Sequence, residues 1–508
     1  MSLLLSLLVF LLSGSALEEL AATQRNRKTW YQPTVLFFRI LLLAVIYGFW
    51  CAATNRPIIS LVLGLVTVGV FVASGRTKHH LLGEPLVFLD LQFVGQILRY
   101  PGLYYGQLLL APRNALAGGL ILLGLGALLF SLVRMEPQLD PPLHRGLWAL
   151  FLAGPMLLWL MPRYIILADR IRRLLCAPAD ELRPQVATNK WGIFVPMLAQ
   201  YSRWITEQSA PKPQYKFLRL PSQLSRLPHV LAVQCESFID PRRIFVEAPN
   251  LPDFQAAKHD ASAYGSLDVP CGGAYTMRTE FSFLTGIPPA ALGCDCFNPY
   301  ARAERRQYAS LPGILKEEGY TTDFVHPHDL RFFRRNRVMP ALGFDRLHGA
   351  ERFRTAPRCG PHVSDAALAV YLERLFEESE EPRFAFAVTM ENHGPWLSGR
   401  LDEGQSPREA YLQHLGNSDQ MFGALVTLGA RLDRPIVLCW YGDHAPILAR
   451  DIFHSRTPYT DYLITTNGLT KSFASLPITL CAHELPRVLL SVIREFSRKP
   501  KNSACALT

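Results

Sequence analysis

Polar positions are sparse over the first third of the chain and frequent over the rest. Residues 34–52 and 57–74 are apolar over about the length a helix needs to cross a bilayer, and so are 115–133 and 146–162. Met1–Leu17 is also apolar, and without the positive start of a signal segment it reads as a first span. The pattern predicts an N-terminal α-helical transmembrane bundle of about five spans over residues 1–170. Arg39 lies near an end of its span, where its long side chain can snorkel. Residues 79–112 break the pattern. This segment is amphipathic, aromatic and too charged to cross, with Glu84, Asp90 and Arg99, and predicts an interfacial element. Residues 171–227 predict a basic juxtamembrane helix followed by a Pro-rich and basic linker, Pro211–Pro228.

From residue 228 to 508 the pattern changes. Short apolar runs, in LPHVLAVQCESF, YTTDFVH, RFAFAVTMENH, RPIVLCWYGDH and YTDYLITT, read as buried strands. They alternate with helical patterns in SLPGILKEEG, the stretch after Pro361, REAYLQHLGNSDQMFGALVTLGARL and HELPRVLLSVIREF. The alternation predicts an α/β domain with a mostly parallel central sheet.

Charge and composition sharpen this picture. The 508 residues carry a net charge of +10, with Arg dominating the basic residues. No basic run interleaved with aromatics is present, so nucleic acid is excluded in favour of anionic lipid headgroups. The ten cysteines include no CxxC pair, so no structural zinc site is expected. Cys271, Cys294, Cys296 and Cys359 fall in loop-like stretches, as free thiols or, outside the cytoplasm, as disulfide partners. Topology is contested by two rules. Arg163, Arg170, Arg172 and Arg173 follow the last span and favour a cytoplasmic location, whereas an odd number of spans from an inside N-terminus places the following domain outside. A basic helix lying on headgroups reconciles the arginines with the outside location.

Candidate chemistry sits where three buried runs end. Glu236 follows VLAVQC, Glu391-Asn392-His393 follow FAFAVTM, and Asp443-His444 follow IVLCWYG. Open α/β sheets bind ligands at the carboxyl ends of their strands, so these clusters are expected to converge. Two carboxylates and one imidazole form a hard set suited to Mn, Mg or Zn. Thr276 follows a glycine turn in CGGAYTMRTEFSFLTG and opens a helix, where free amides favour a phosphate. It is either a helix cap or a reactive hydroxyl, and the surrounding clusters favour the second.

QCESF, GGAYTMRTEF, ENHGPW and YGDHAP occur in the order of the lipoteichoic acid synthase and phosphoglycerol transferase branch of the alkaline phosphatase (sulfatase-like) superfamily. The chain resembles that branch over most of residues 228–470, and more weakly over the membrane part with its GEPLVFLDL segment. The resemblance implies that Glu236, Thr276, Asp443 and His444 hold one divalent metal ion, Mn before Mg or Zn, with Thr276 also the nucleophile. His393 is similar to the family histidine that contacts the phosphate or serves the leaving group. Arg335 stands where relatives carry a phosphate-binding arginine, among neighbouring arginines that blur the assignment by about a position. Phe333 stands where lipoteichoic acid synthases carry a tryptophan, so headgroup contacts differ.

These implications compose an expected activity. A phospholipid such as phosphatidylglycerol donates phosphoglycerol, through a phosphothreonine, to an envelope glycan or glycolipid acceptor. The enzyme is then a multi-pass protein of the cell inner membrane with its catalytic domain on the extracytoplasmic, periplasmic side. A phosphoethanolamine transferase is the nearest alternative, and a metal-free envelope receptor or scaffold retaining the fold is the non-enzymatic one.

Overall fold

The computed structural model describes residues 3–22, 30–103, 138–146, 184–207, 227–448, 459–466 and 477–498, with isolated helical positions at 124, 126 and 131. The chain forms two compact units, residues 1–210 and 211–508.

In the first unit, helices Leu3–Glu19, Pro33–Thr54 and Pro57–Leu82 pack together. The second and third are long and apolar enough to cross a membrane. Each opens with a proline, whose missing N–H costs nothing there, and each ends on a left-handed residue, Asn55 and Gly83. One face of Pro33–Thr54 is buried through Val35, Leu43, Tyr47 and Cys51. Phe37, Leu41, Val45 and Phe49 on the same helix are exposed. A helix apolar on both its packed and its open faces suits a lipid surrounding. Arg39 does not snorkel. It is buried, pairs with Glu18 at 3.0 Å and stacks over Trp30 at 4.0 Å. The Glu18 carboxylate also accepts from the Ile193 amide at 3.2 Å, so a charge buried without water finds partners on neighbouring segments.

The expected spans 115–133 and 146–162 lie almost wholly outside the described residues. Of the interfacial segment, Phe88–Phe93 and Val94–Arg99 are helical, and 104–112 lies outside. Asp90 accepts from the Val87 amide and pairs with Lys78 at 2.7 Å, while the Phe88 ring packs on Tyr201. Within 171–227, helices Pro184–Trp191 and Phe194–Thr206 are described; 171–183 and 208–226 are not.

The second unit is built on strands β1 (His229–Cys235), β2 (Ala263–Asp268), β3 (Thr321–Val325), β4 (Arg346–His348), β5 (Arg358–Cys359), β6 (His362–Val363), β7 (Arg383–Val388), β8 (Ile436–Gly442), β9 (Tyr459–Thr466) and β10 (Leu480–Cys481). Eight of them form one sheet in the order β10-β2-β9-β8-β1-β7-β3-β4, and β5 with β6 makes a separate hairpin. The run β8-β1-β7-β3-β4 is parallel, whereas β9 pairs antiparallel with both β8 and β2. Every residue of β1, β7 and β8 is buried, which is why these strands read as continuous apolar runs without alternation. Helices Asp365–Glu377 and Pro407–Arg431 contribute Leu368, Leu372, Leu415, Phe422 and Leu425 to the core with Leu231, Val233, Leu438 and Trp440. Because β1, β7 and β8 are adjacent and parallel, their carboxyl ends share one sheet edge.

Candidate metal and phosphoryl-transfer site

Glu236 follows β1 and Asp443 and His444 follow β8. All three are buried, and their ligand atoms lie within 4.8 Å of one another. His444 Nε2 is 3.3 Å from Glu236 Oε1 and 3.2 Å from Asp443 Oδ2. Its Nδ1 faces the Ala445 carbonyl at 3.0 Å, so the hydrogen belongs on Nδ1 and Nε2 turns its lone pair toward the carboxylates. Asp443 Oδ1 accepts from the amides of Ser237 and His444, at 2.8 and 2.9 Å. Asp443 Oδ2 is buried with no hydrogen-bond partner. Burial, and then the Asp443 charge, push the Glu236 carboxyl well above its ordinary range. Converging acceptors and an orphaned carboxylate oxygen are what a divalent cation satisfies, so these residues fit one.

Thr276 is the first residue of helix Thr276–Thr285 rather than its cap; Tyr275 holds that position. Its hydroxyl donates to Glu236 Oε2 at 3.5 Å, which brings the fourth predicted residue to the cluster. The loop before it needs glycine. Gly273 has φ +101°, and a Cβ there would meet Ile447 at 2.4 Å. Thr279 donates to the Asp443 carbonyl at 2.8 Å, tying this helix to the end of β8.

Backbone strain clusters at these positions. Ser237 beside Glu236, Tyr275 beside Thr276, and Phe333 and Arg334 before Arg335 have φ of 53°, 63°, 54° and 60°. Side chains with a Cβ rarely adopt such values without surrounding structure to hold them.

Arg335 is buried and grips Glu280, with Nη2 at 2.7 Å from Oε2 and Nε at 3.1 Å from Oε1. Glu280 also accepts from Tyr300 at 2.5 Å, so it is neither solvated nor idle. The third arm of Arg335, Nη1, lies 3.3 Å from His326 Nε2. His326 Nδ1 faces the Val388 carbonyl at 3.1 Å, leaving Nε2 to accept. Burial, then the Arg335 charge, hold His326 well below its usual pKa. It is therefore a neutral holder of Arg335. Phe333 is buried against Phe332, with its ring centroid 5.3 Å from the Arg335 guanidinium carbon.

His393 follows β7 in the turn Glu391-Asn392-His393. Its Nδ1 faces the Gly394 carbonyl at 2.5 Å, so Nε2 carries the lone pair. Burial pushes its pKa down to about 3, with further lowering from His444, His328 and Arg400. Arg400 was not anticipated from the sequence. Its guanidinium donates to the carbonyls of Glu391, His393 and Pro395 and pins the turn. Its only signal was an arginine seven positions past His393. Among the described residues no disulfide joins Cys271, Cys294, Cys296 or Cys359 to one another.

A protein-family model described as Sulfatase matches residues 228–471. The capsular polysaccharide biosynthesis protein RkpI of Rhizobium meliloti (strain 1021) is 31% identical over 458 residues, covering 86% of this chain and 83% of the relative. Among solved structures, the integral membrane lipooligosaccharide phosphoethanolamine transferase A (EptA) from Neisseria meningitidis aligns with TM-score 0.52 at 12% identity, over 95% of each chain. The Streptococcus pyogenes phosphoglycerol transferase GacH, in complex with sn-glycerol-1-phosphate, aligns with TM-score 0.43 at 20% identity, over 54% of this chain and 81% of its own.

Proposed function

The chain belongs to the sulfatase family of the alkaline phosphatase superfamily, as a transferase related to phosphoglycerol and phosphoethanolamine transferases, and from that premise we propose that it moves phosphoglycerol from a membrane phospholipid to an envelope glycan. The observation that carries the reading is the meeting of Glu236, Asp443 and His444 with the Thr276 hydroxyl at the carboxyl edge of the sheet. In this reading Glu236, Thr276, Asp443 and His444 hold one divalent ion, with Mn the first expectation. When bound, such an ion lowers the pKa of a coordinated hydroxyl and draws charge from phosphate oxygens.

The protein's own groups supply the rest. Thr276 Oγ attacks the donor phosphorus and diacylglycerol leaves, so the threonine carries the phospho-alcohol. The Gln234 amide, 3.4 Å from the Thr276 carbonyl, steadies the attacking residue. Free amides of the first helical turn meet the phosphate. Arg335 offers positive charge held in place by Glu280 and His326, and the Phe333 ring supports it. His393, neutral at physiological pH, takes the proton from the acceptor hydroxyl as that hydroxyl displaces Thr276. A phosphate bound beside it raises its pKa, which suits the same imidazole to protonate the leaving alcohol.

The glycan acceptor is supported by the relative named for capsular polysaccharide biosynthesis. Glycerol over ethanolamine is supported by charge. The charges of Arg335 and Arg400 both reach the Glu236 carboxyl, and Arg400 is held by carbonyls rather than by a carboxylate, which disfavours an ammonium headgroup. The second reading, phosphoethanolamine transfer, is kept for its shared architecture with EptA. In either case the domain is proposed to face the extracytoplasmic side of the inner membrane, with the donor held in the bilayer beside its anchor. Vesicles containing phosphatidylglycerol and phosphatidylethanolamine in equal parts, incubated with the purified protein, test the choice. Loss of phosphatidylglycerol with release of diacylglycerol is expected. Selective loss of phosphatidylethanolamine would establish the second reading, and loss of neither would reject both.

A further inference from the structure

A second set of ligand-type side chains lies apart from the Thr276 cluster. Cys359 on the β5–β6 hairpin, Glu391 after β7 and His414 on helix Pro407–Arg431 bring a sulfur, an oxygen and a nitrogen within 4.8 Å of one another. His414 Nδ1 is 3.8 Å from Cys359 Sγ and 2.9 Å from Glu391 Oε1. Two ligands of one tetrahedral zinc ion lie roughly 3.3–3.8 Å apart, given bonds of about 2.0–2.3 Å. The spacing therefore needs only a small opening of the Glu391–His414 pair. His414 is fully buried and its Nε2 has no hydrogen-bond partner. Its ring is thus oriented wholly by the Nδ1 side, which faces the thiol and the carboxylate.

Hydrogen bonds from neighbouring groups hold the Glu391 carboxylate in place. Glu391 Oε2 accepts from the Asp365 amide at 2.6 Å, and Asn417 Nδ2 donates to Glu391 Oε1 at 2.6 Å and approaches Cys359 Sγ at 3.6 Å. Cys359 is partly exposed, which gives an ion a way in. No CxxC spacing announces the site, because its ligands come from three separate segments.

We propose that Cys359, Glu391 and His414 bind a zinc-class divalent cation with a water in the fourth position. The thiolate selects this class over Mn or Mg, which the oxygen-rich Thr276 cluster accepts. Binding releases the Cys359 thiol proton to solvent, moves the His414 proton from Nδ1 to Nε2, and changes no oxidation state. The ion joins the hairpin, the helix and the Glu391–His393 turn, so it is a positioning site for His393. The proposal stands whether or not the transfer reaction is as described above.

Cobalt is the probe. Full-length protein in detergent, stripped by chelator and loaded with Co²⁺, is expected to show a near-ultraviolet thiolate-to-cobalt charge-transfer band. Glu236→Gln keeps the band and Cys359→Ser loses it. Zinc binding is expected at about two equivalents per chain in the parent and about one in either variant. Alkylation of Cys359 by iodoacetamide, read by peptide mass on the unsubstituted protein, is expected to be blocked by zinc, so the test does not depend on a variant folding. A parent without the band, a band that survives Cys359→Ser, or equal alkylation with and without zinc overturns the proposal.

Discussion

At the scale of single residues, the site is built from atoms that need each other. Thr276→Ala removes the nucleophile while leaving a buried helix start that alanine tolerates. Diacylglycerol release is expected to fall by at least about 10³-fold with the melting temperature nearly unchanged; a variant that still turns over would remove Thr276 from the chemistry. Glu280→Gln takes one partner from a buried ion pair and leaves the Arg335 charge uncompensated. Its expected cost is roughly 3–5 kcal/mol, measured by denaturant unfolding, and it should also weaken donor binding because Arg335 loses its anchor. Glu280, Tyr300 and Arg335 meet only in the fold, so their partnership is not legible along the chain. Glu236, Asp443 and His444 were legible because apolar strands that end on ionisable residues have few structural reasons to do so. The Arg39 side chain was misread for a related reason. Sequence shows its depth in a span but not the Glu18 that waits across the helix pair.

At the scale of elements, the site is held by strand ends that tolerate no extra atoms. A Cβ on Gly442, the last residue of β8, would sit 1.9 Å from the Phe238 carbonyl oxygen. Gly442→Ala must therefore move the strand end or the Phe238 backbone, and Asp443 and His444 with it. A loss of about 1–3 kcal/mol in unfolding free energy is expected, together with weaker divalent-ion binding by calorimetry. Unchanged ion affinity would mean that the end of β8 does not set the ligands. The five strands expected from apolar runs all form: β1, β7 and β8 are buried throughout, and β3 and β9 over most of their length. Strand β2, with the sequence AYGSLD, and the two-residue strands leave no apolar run because they are short, polar or only partly buried. Helix Thr276–Thr285 was legible from its glycine turn, whereas the left-handed Tyr275 and Phe333 were not, because neither residue type advertises that conformation.

At the scale of the whole molecule, a cluster of neutral imidazoles makes sensitivity to acid a consequence of the fold. His393 falls to about 3 and His326 well below its usual value, against about 6.5 when unfolded. Their depressed pKa values mean that the unfolded chain binds more protons. Stability is then complete above about pH 6.5 and is lost as pH falls toward the folded values. Melting temperatures between pH 7 and 4 should drop steadily, and the drop should shrink in His393→Gln; a pH-independent melt would contradict the burial of these rings. The unit boundary and the two described membrane-length helices agree with a membrane anchor carrying an enzymatic domain, and the remaining spans are expectations of hydropathy alone. The central claim, that the metal-facing threonine carries the transferred group, is tested most directly by mass analysis of the Thr276 peptide after incubation with phosphatidylglycerol and no acceptor. Glycerol phosphate esterified to Thr276 is the expected product. Diacylglycerol release with Thr276 unmodified and the group on water or another residue would contradict it.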